Sequence, residues 1–426
     1  MVAVDAFLPG FAALAGTPAR AGRSGPVNVD LVDPQVPGDV ARHAREIGPL
    51  ESPLIWITLA VLAGLAVIAA ILVRTRRRPR RAAIVTAVCC ALLAGVTGLN
   101  TYVGYVRTGH DLGRVLERGG GPIAALGRTL DDGHDETTSS GDSRRRQPVV
   151  PADGPGAPAI ETLNLPDPAD GVPASKTFVL LPPGYGDPAE ATQHYPVVYL
   201  VHGYPYGTAE DWLTAGDAPG TLRLLNNDHA IKPMIVVSVD LTAGQVSRDW
   251  EGLNVPGGPQ LETYLGRTVL PAIDARYRTI ADRDHRALGG MSGGAFAALN
   301  IGLHHVDEFS VLLLALPYDE LGDDAGLVRG DPQRLRENTP RTYLATMPFP
   351  SRVSVLLTAG AGAPTDVATA RRIAAAFQAR GQEAVAHVEP GFNHTWHTAR
   401  ATLPHMLMFA DQAFDRATTA LTAALH

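Results

Sequence analysis

The segment HRALGGMSGGAFAALNIGLHH, residues 285–305, carries the strongest structural signal in this sequence. An apolar run leads into Gly290-Met291-Ser292-Gly293-Gly294, which fits the pattern G-x-S-x-G, and an alanine-rich helical stretch follows. In a tight turn from strand to helix, glycines beside a serine let the backbone fold sharply and present the hydroxyl at the edge of a sheet. The segment therefore predicts a strand, a turn and a helix that expose Ser292 as a nucleophile.

A serine nucleophile needs a base, and the sequence offers a histidine in a suitable place. The serine hydroxyl reacts well only when a neighbouring imidazole takes its proton. Among 14 histidines, His394 in EPGFNHTWHTARATLPHM lies between the last predicted strand and the last predicted helix. A loop there would reach the end of the sheet that carries Ser292. His397, three residues on, is the alternative base.

An acid should orient the imidazole, and two aspartates are candidates. The loop after the preceding predicted strand reads TAGAGAPTDVATARR, and Asp366 is its only acid. Asp366 could instead serve as the N-cap of the helix that follows. Asp319, in LALPYDE after an earlier strand, is the alternative orienting acid.

Two backbone N–H groups are expected to bind the oxyanion of a tetrahedral intermediate. One is the N–H of Gly293, directly after the nucleophile. The other is expected in VVYLVHGYPYG, where Tyr204 is favoured because Pro205 has no N–H. His202 in the same loop is interpreted as a packing residue.

The region from about residue 159 alternates short apolar runs with helical stretches, a pattern typical of a mostly parallel sheet covered on both faces. The predicted strands are Thr177–Leu181, Val197–Val201, Met234–Val239, Arg286–Leu288, Val311–Leu314, Val353–Leu357 and Ala384–Val388. The predicted helices include Leu261–Tyr277, Gly294–His304, Val367–Arg380 and Ala401–Ala417.

Two uncharged runs precede this region. Residues 53–73 form 21 uncharged residues, long enough at 1.5 Å per residue to cross a hydrocarbon core of about 30 Å. A second run, residues 82–106, has tyrosines at positions 102 and 105 where an interfacial aromatic belt would lie. The pattern predicts a hairpin of two transmembrane helices over residues 53–106.

The connector of this hairpin indicates its orientation. Residues 74–81 read RTRRRPRR and contain six arginines, and short basic loops stay in the cytoplasm. We therefore expect a multi-pass protein of the cell membrane, with both termini and the catalytic domain on the extracytoplasmic side.

The expected organisation has five parts. These are an N-terminal tail over 1–52, the hairpin over 53–106, a juxtamembrane segment and linker over 107–158, a catalytic domain over 159–418 and a C-terminal tail over 419–426. The linker is predicted from a stretch rich in Gly, Ser, Pro and mixed charge after residue 131.

Charge and cysteine content exclude several classes of protein. The net charge of −7 divides into +4 over residues 1–150 and −11 over residues 151–426, so a nucleic-acid partner is not expected. Both cysteines, Cys89 and Cys90, lie inside the second apolar run, which removes disulfide staples and thiol catalysis. No metal site and no cofactor are expected, because the histidines of HTWH have no set of carboxylates or thiolates nearby.

Four pieces of the sequence together resemble the Putative esterase family of α/β-hydrolases, which includes esterase D, feruloyl esterases and the secreted mycolyltransferases. They are LLPPGYGDP (180–188), YPVVYLVHGYPYGTAEDW (195–212), LPAIDARYRTIADRDHRALGGMSGGAFAALN (270–300) and FNHTW (392–396). The resemblance implies an α/β-hydrolase fold, with Ser292 as nucleophile, His394 as base beside Trp396, and support for Asp366 from the segment GAGAPTD. Many relatives carry the acid slightly earlier, at the positions of Ala363 and Pro364.

The leading expectation is a membrane-anchored serine hydrolase that acts on carboxylic esters or acyl-lipids through an acyl-enzyme. One alternative is an acyltransferase of the mycolyltransferase type, which would use the same residues and replace water with a sugar or lipid hydroxyl. The other is a catalytically silent, membrane-anchored binding protein that keeps the hydrolase shell.

Overall fold

Eight strands form one central sheet. The computed structural model describes residues 32–118, 154–173 and 175–425, and all of them belong to one unit that spans Leu31–His426. Along the sheet the strands run in the order β1-β2-β4-β3-β5-β6-β7-β8, with β1 and β2 antiparallel to their neighbours and the others parallel. The strands are β1 (Ala159–Asn164), β2 (Lys176–Leu181), β3 (Val197–Val201), β4 (Ile235–Val239), β5 (Arg286–Met291), β6 (Val311–Ala315), β7 (Ser354–Gly360) and β8 (Glu383–Glu389).

The described helices cover both faces of this sheet or precede it. They are α1 (Gly38–Arg45), α2 (Pro53–Leu72), α3 (Arg77–Val103), α4 (Gly109–Arg118), α5 (Ala218–Asn227), α6 (Leu261–Tyr264), α7 (Leu270–Arg276), α8 (Gly293–His304), α9 (Pro332–Glu337), α10 (Pro340–Tyr343), α11 (Pro364–Ala379) and α12 (Trp396–Leu425).

The alternation of side chains along the strands builds a separate core on each face. Val179, Tyr199 and Leu288 belong to one core, which α6, α7, α8 and α11 complete. Phe178 and Leu200 point the other way, into a core completed by α5 and α12. The central strands are buried on both faces, which is why they read as continuous apolar runs.

The predicted fold class is confirmed, and the structure adds detail at several elements. All seven predicted strands are present, and an eighth, β1, was not predicted, because it lies at the edge and half of its side chains are polar. The predicted helix over Leu261–Tyr277 is interrupted by a π-helical turn at Leu265–Val269. Helix α11 begins at Pro364 instead of Val367, because proline suits the first turn of a helix. Helix α12 begins five residues before the predicted start and continues to Leu425.

Helices α2 and α3 are long and apolar enough to cross a membrane. Only 11% of the most apolar stretch of each is buried within the structure, and the two pack against each other, with Trp56 of α2 against Gly98 of α3. An apolar surface exposed along both helices is costly in water and favourable in lipid.

The chain on each side of the hairpin packs on the domain that carries the sheet. Val40 and Ala44 of α1 are buried against α12. Glu51, just before α2, forms an ion pair with Arg400 of α12, and both side chains are fully buried (Nη2 to Oε1, 3.1 Å). Residues 32–52 and 107–118, predicted as parts of a tail and a juxtamembrane segment, thus include surfaces that belong to this unit. The predicted linker from residue 131 lies mostly outside the described residues, as do residues 1–31.

Candidate active site

Ser292 occupies a sharp turn at the carboxyl end of β5. Its backbone has φ 56° and ψ −116°, a region that residues other than glycine rarely adopt. A Cβ atom at position 290 would lie 2.3 Å from the carbonyl oxygen of Gly294, and one at position 294 would lie 2.3 Å from that of His202. The turn therefore needs glycine at both positions, and it raises the Ser292 hydroxyl above the sheet at the start of α8.

The His394 side chain lies between Ser292 and Asp366. Its Nε2 is 2.8 Å from Ser292 Oγ, and its Nδ1 is 2.7 Å from Asp366 Oδ2. The loop that carries it follows β8 and packs on the end of β7, where the N–H of Gly362 donates to the carbonyl of Phe392 (2.8 Å). Because β5, β7 and β8 are parallel, their carboxyl ends meet at one edge and bring these three side chains together.

The two candidate acids lie in different environments. Asp366 is in the first turn of α11, whose N-cap is Ala363, so its carboxylate is turned to His394 and does not cap the helix. Asp319 is 4% exposed and accepts from the guanidinium of Arg372, with Arg341 also in contact (3.3 Å). Asp319 is therefore held by arginines and is not brought to His394.

The other histidines of this region contact the N-terminal part of the chain or the sheet edge. His397 is buried; its Nε2 donates to the carbonyl of Thr101 (3.1 Å), and its ring stacks on Phe392. His202 contacts the carbonyl of Gly203 through Nδ1 (3.0 Å) and accepts the N–H of Leu241 at Nε2 (3.1 Å). Asp240 lies 3.7 Å from Nε2 as well, and the role of His202 as a packing residue of the loop stays a prediction.

The loop after β3 lies next to Ser292. A Cβ atom at Gly203 would be 3.8 Å from the Cβ of Ser292. Among the hydrogen bonds of the described residues, the N–H groups of Tyr204 and Gly293 have no acceptor. Trp212, further along the loop, donates to the carbonyl of Val201 (2.9 Å) and packs edge to face on Trp396.

The cleft beside Ser292 also contains acids that the sequence did not indicate. Asp249 lies close to Gly293, since a Cβ atom on Gly293 would be 2.9 Å from Oδ2 of Asp249. Glu251 is 3% exposed, and its Oε1 accepts from Tyr318 (2.5 Å). Burial and the neighbouring Asp249 raise the pKa of Glu251 to about 9, and burial also raises the pKa of Asp249. The run RDWEG, residues 248–252 in the long loop after β4, was the available sequence signal.

Two groups of side chains in the described part of the chain have ligand atoms within 4.8 Å of one another. One is Asp249, Glu251 and Asp324 in the cleft. The other is Asp33, His387 and His405, where Asp33 contacts both imidazoles. Burial alone would lower the pKa of His387, but hydrogen bonds to Asp33 and Glu389 raise it to about 9. His387 is therefore protonated at neutral pH, and its ion pair with Asp33 explains why the side chains of this second group lie close together. The absence of a metal from the protein stays a prediction.

The sheet order, the turn at Ser292 and the loops at the carboxyl edge define an α/β-hydrolase. Two solved structures show the same fold over most of their own length. A ferulic acid esterase aligns with a TM-score of 0.53 at 23% identity, covering 60% of this chain and 99% of that one. An S-formylglutathione hydrolase from Agrobacterium tumefaciens aligns with a TM-score of 0.50 at 14% identity, covering 62% and 98%.

The sequence profile of the Putative esterase family matches residues 174–410, more than half of the chain, and the chain belongs to that family. The matched region is thus an esterase-family domain with the α/β-hydrolase fold. Two curated esterases of Mycobacterium tuberculosis, from strains CDC 1551 / Oshkosh and H37Rv, are each 36% identical over 117 residues. This match spans 27% of the chain and about a quarter (24%) of the length of each relative.

The raised pKa of Glu251 predicts a pH-dependent stability. An acid with a raised pKa in the folded state stabilises the fold fully below its unfolded pKa of about 4.5, and this contribution is lost as the pH rises towards about 9. Glu251→Gln keeps a neutral acceptor for Tyr318 and removes this titration. We expect the variant to melt several degrees above the wild type at pH 8 to 9 and close to it at pH 5, in thermal unfolding followed by circular dichroism.

The matched control is Glu190→Gln, which changes an exposed glutamate and should leave the wild-type pH profile intact. Parallel loss of melting temperature in wild type and Glu251→Gln between pH 5 and 9 would show that Glu251 is ionised in the fold.

Proposed function

We propose that this protein is a membrane-anchored serine esterase in which Ser292, His394 and Asp366 form the catalytic triad. The observation that carries the proposal is the position of His394, 2.8 Å from the Ser292 hydroxyl and 2.7 Å from the Asp366 carboxylate. Three hydrogen-bonded residues in this arrangement favour an enzyme over a hydrolase-like binding protein. Membership of the esterase family supports an ester as substrate.

The proposed reaction begins with Ser292. Its Oγ attacks the ester carbonyl while Nε2 of His394 takes the hydroxyl proton, and Nδ1–H of His394 donates to Asp366 throughout. Asp366 keeps the imidazole in this tautomer and stabilises the imidazolium that forms. The N–H groups of Tyr204 and Gly293 donate to the oxyanion, where negative charge develops.

His394 then returns the proton to the departing alcohol, and an acyl-enzyme on Ser292 remains. Water enters, gives a proton to His394 and attacks the acyl carbon. Collapse of the second tetrahedral intermediate releases the carboxylic acid and restores the serine. The conformation at Ser292 supports this role, since strained backbone at a functional residue persists only when its surroundings hold it.

Anchoring in a membrane is supported by helices α2 and α3 and by the arginines between them. The ends of the hairpin next to Glu51 and Gly104 pack on the domain, and the basic connector is at the opposite end of both helices. A connector retained in the cytoplasm therefore leaves the domain on the extracytoplasmic side.

Replacement of the nucleophile tests the enzyme class directly. We expect full-length wild-type protein to be labelled by a fluorophosphonate probe and Ser292→Ala to be unlabelled, with an unchanged circular dichroism spectrum. The control is Ser247→Ala, an exposed serine near the cleft, which should label as the wild type does. Folded wild-type protein that takes up no probe contradicts the proposal.

Replacement of each candidate acid identifies the third residue. Asp366→Asn removes the carboxylate that orients His394, and we expect kcat for a soluble ester to fall by roughly 10³ to 10⁴. Asp319→Asn weakens the contacts with Arg372 and Arg341, so it should lower the melting temperature while kcat stays near the wild-type value. The reverse pattern of kcat values would assign the acid to Asp319.

Reporter fusions test the orientation. Alkaline phosphatase is active only outside the cytoplasm, because its disulfides form there. A fusion after residue 130 should be active and one after Thr75, in the arginine-rich connector, should be inactive. An inactive fusion at residue 130 beside an active one at Thr75 would place the domain in the cytoplasm.

A further inference from the structure

The loop that carries His394 is fixed to the end of the membrane hairpin. His397, three residues after His394, donates to the carbonyl of Thr101 near the end of α3 (3.1 Å). Gly104 ends this helix against the same imidazole, and a Cβ atom there would lie 2.7 Å from the ring. One turn further on, Arg400 forms its buried ion pair with Glu51 at the start of α2.

The loop that carries Tyr204 is fixed to the same end of the hairpin. Asp211 accepts from the hydroxyl of Tyr105, directly after α3 (2.9 Å). Glu210 pairs with Arg114 of α4, and Asp217 pairs with Arg107 (2.7 Å). Both loops of the proposed active site are therefore held where α3 leaves the membrane.

The length of α3 gives the depth of this contact. The last arginine of the connector is Arg81, and about 20 residues at 1.5 Å each cross a hydrocarbon core of about 30 Å. Thr101 is 20 residues after Arg81, so it lies at the boundary between hydrocarbon and headgroups. His397 contacts Thr101 (3.1 Å) and His394, three residues before it, contacts Ser292 (2.8 Å), so a short run of chain connects this boundary to the serine.

The exposed apolar side chains of the domain are concentrated at the mouth of the cleft. In the described residues from 154 on, four large apolar side chains are exposed: Tyr204 (45%), Tyr206 (62%), Val246 (38%) and Leu335 (37%). Tyr204, Tyr206 and Val246 share one surface. The N–H of Tyr206 donates to the carbonyl of Val246, and the hydroxyl of Tyr204 donates to the carbonyl of Ser247, the next residue.

Ile47 and Leu112, in the segments on each side of the hairpin, are also exposed. We call Tyr204, Tyr206 and Val246 the interfacial patch. Tyrosines and aliphatic side chains beside a membrane helix are typical of contact with the headgroup layer. Both loops of the proposed active site are fixed to the end of α3, and this attachment points to the same bilayer as the occupant of the patch.

We propose that the catalytic edge of the sheet rests on the membrane that holds the hairpin, and that the substrate is an amphiphilic ester drawn from this bilayer. Its ester group enters the cleft beside Ser292 past the interfacial patch, while its acyl chain stays in contact with the hydrocarbon. This inference rests on the proposed esterase function and adds the class of substrate and its direction of entry.

The contact with lipid is measured by fluorescence on full-length protein in phosphatidylcholine–phosphatidylglycerol vesicles. In a Cys89→Ala, Cys90→Ala background, a nitrobenzoxadiazole label is attached at Tyr206→Cys or at Arg352→Cys. Arg352 is 68% exposed and precedes β7, at the opposite edge of the sheet from Ser292. Spin-labelled lipid should quench the label at position 206 strongly and the label at position 352 hardly at all. Equal, weak quenching at both positions would overturn the proposal, and a protein partner or a soluble ligand would then be the occupant of the patch.

The substrate class is tested with two esters and one matched pair of variants. Tyr206→Asp places a charge in the interfacial patch, whereas Leu335→Asp places one on α9, outside it. Hydrolysis of p-nitrophenyl palmitate in vesicles should fall about tenfold in Tyr206→Asp, which corresponds to about 1.4 kcal/mol, and stay unchanged in Leu335→Asp. Hydrolysis of soluble p-nitrophenyl butyrate should be unchanged in both.

The two esters separate failure of this inference from failure of the proposed function. Wild-type protein that hydrolyses neither ester contradicts the esterase itself. The other result to consider is that the wild type hydrolyses butyrate, but Tyr206→Asp affects both esters equally or affects neither. This result keeps the proposed esterase function and overturns the entry of substrate from the membrane.

Discussion

The turn at Ser292 is the constraint on which the site depends. The backbone at positions 290 and 294 approaches the end of β3 so closely that only hydrogen fits in place of a Cβ atom. Since β5 and β3 are adjacent, this approach fixes the start of α8, the hydroxyl of Ser292 and the loop after β3 relative to one another. A bulkier residue would separate these elements and move the hydroxyl away from His394. The positive φ at Ser292 is the conformational cost of this arrangement.

The second organising feature is the buried ion pair between Arg400 and Glu51. A charge without exposure to water is tolerated only when it is paired, and Arg400 also donates to the carbonyl of Ala215 (2.9 Å). Removal of one partner would leave the other charge uncompensated in the interior. The pair therefore joins the start of the hairpin to the helix that follows His394, and it makes the two apolar helices an integral part of the unit that carries the sheet. A flexible tether would have no need for such contacts.

Agreement between sequence and structure is best where local chemistry is decisive. The glycines around Ser292, the alternation of strands and helices, and the uncharged runs of the hairpin each reflect requirements of the nearby backbone or of the surrounding solvent. The edge strand β1 was missed because its polar residues, such as Glu161, pair with groups distant in sequence: Glu161 accepts from Tyr277. The acids of the cleft were missed because Asp249 approaches Gly293 only after β4 and α8 have packed.

The sequence by itself determined the class of fold, the nucleophile turn and the apolar hairpin, because each depends on residues close together in the chain. From the sequence, both His394 and His397 remained candidates for the base, and both Asp366 and Asp319 remained candidates for the acid. Only the tertiary structure gives these residues different partners: Arg372 contacts Asp319, and the carbonyl of Thr101 contacts His397, whereas His394 contacts Ser292 and Asp366. The attachment of both loops of the proposed active site to the end of α3 likewise arises from contacts between distant segments, and no local pattern encodes it.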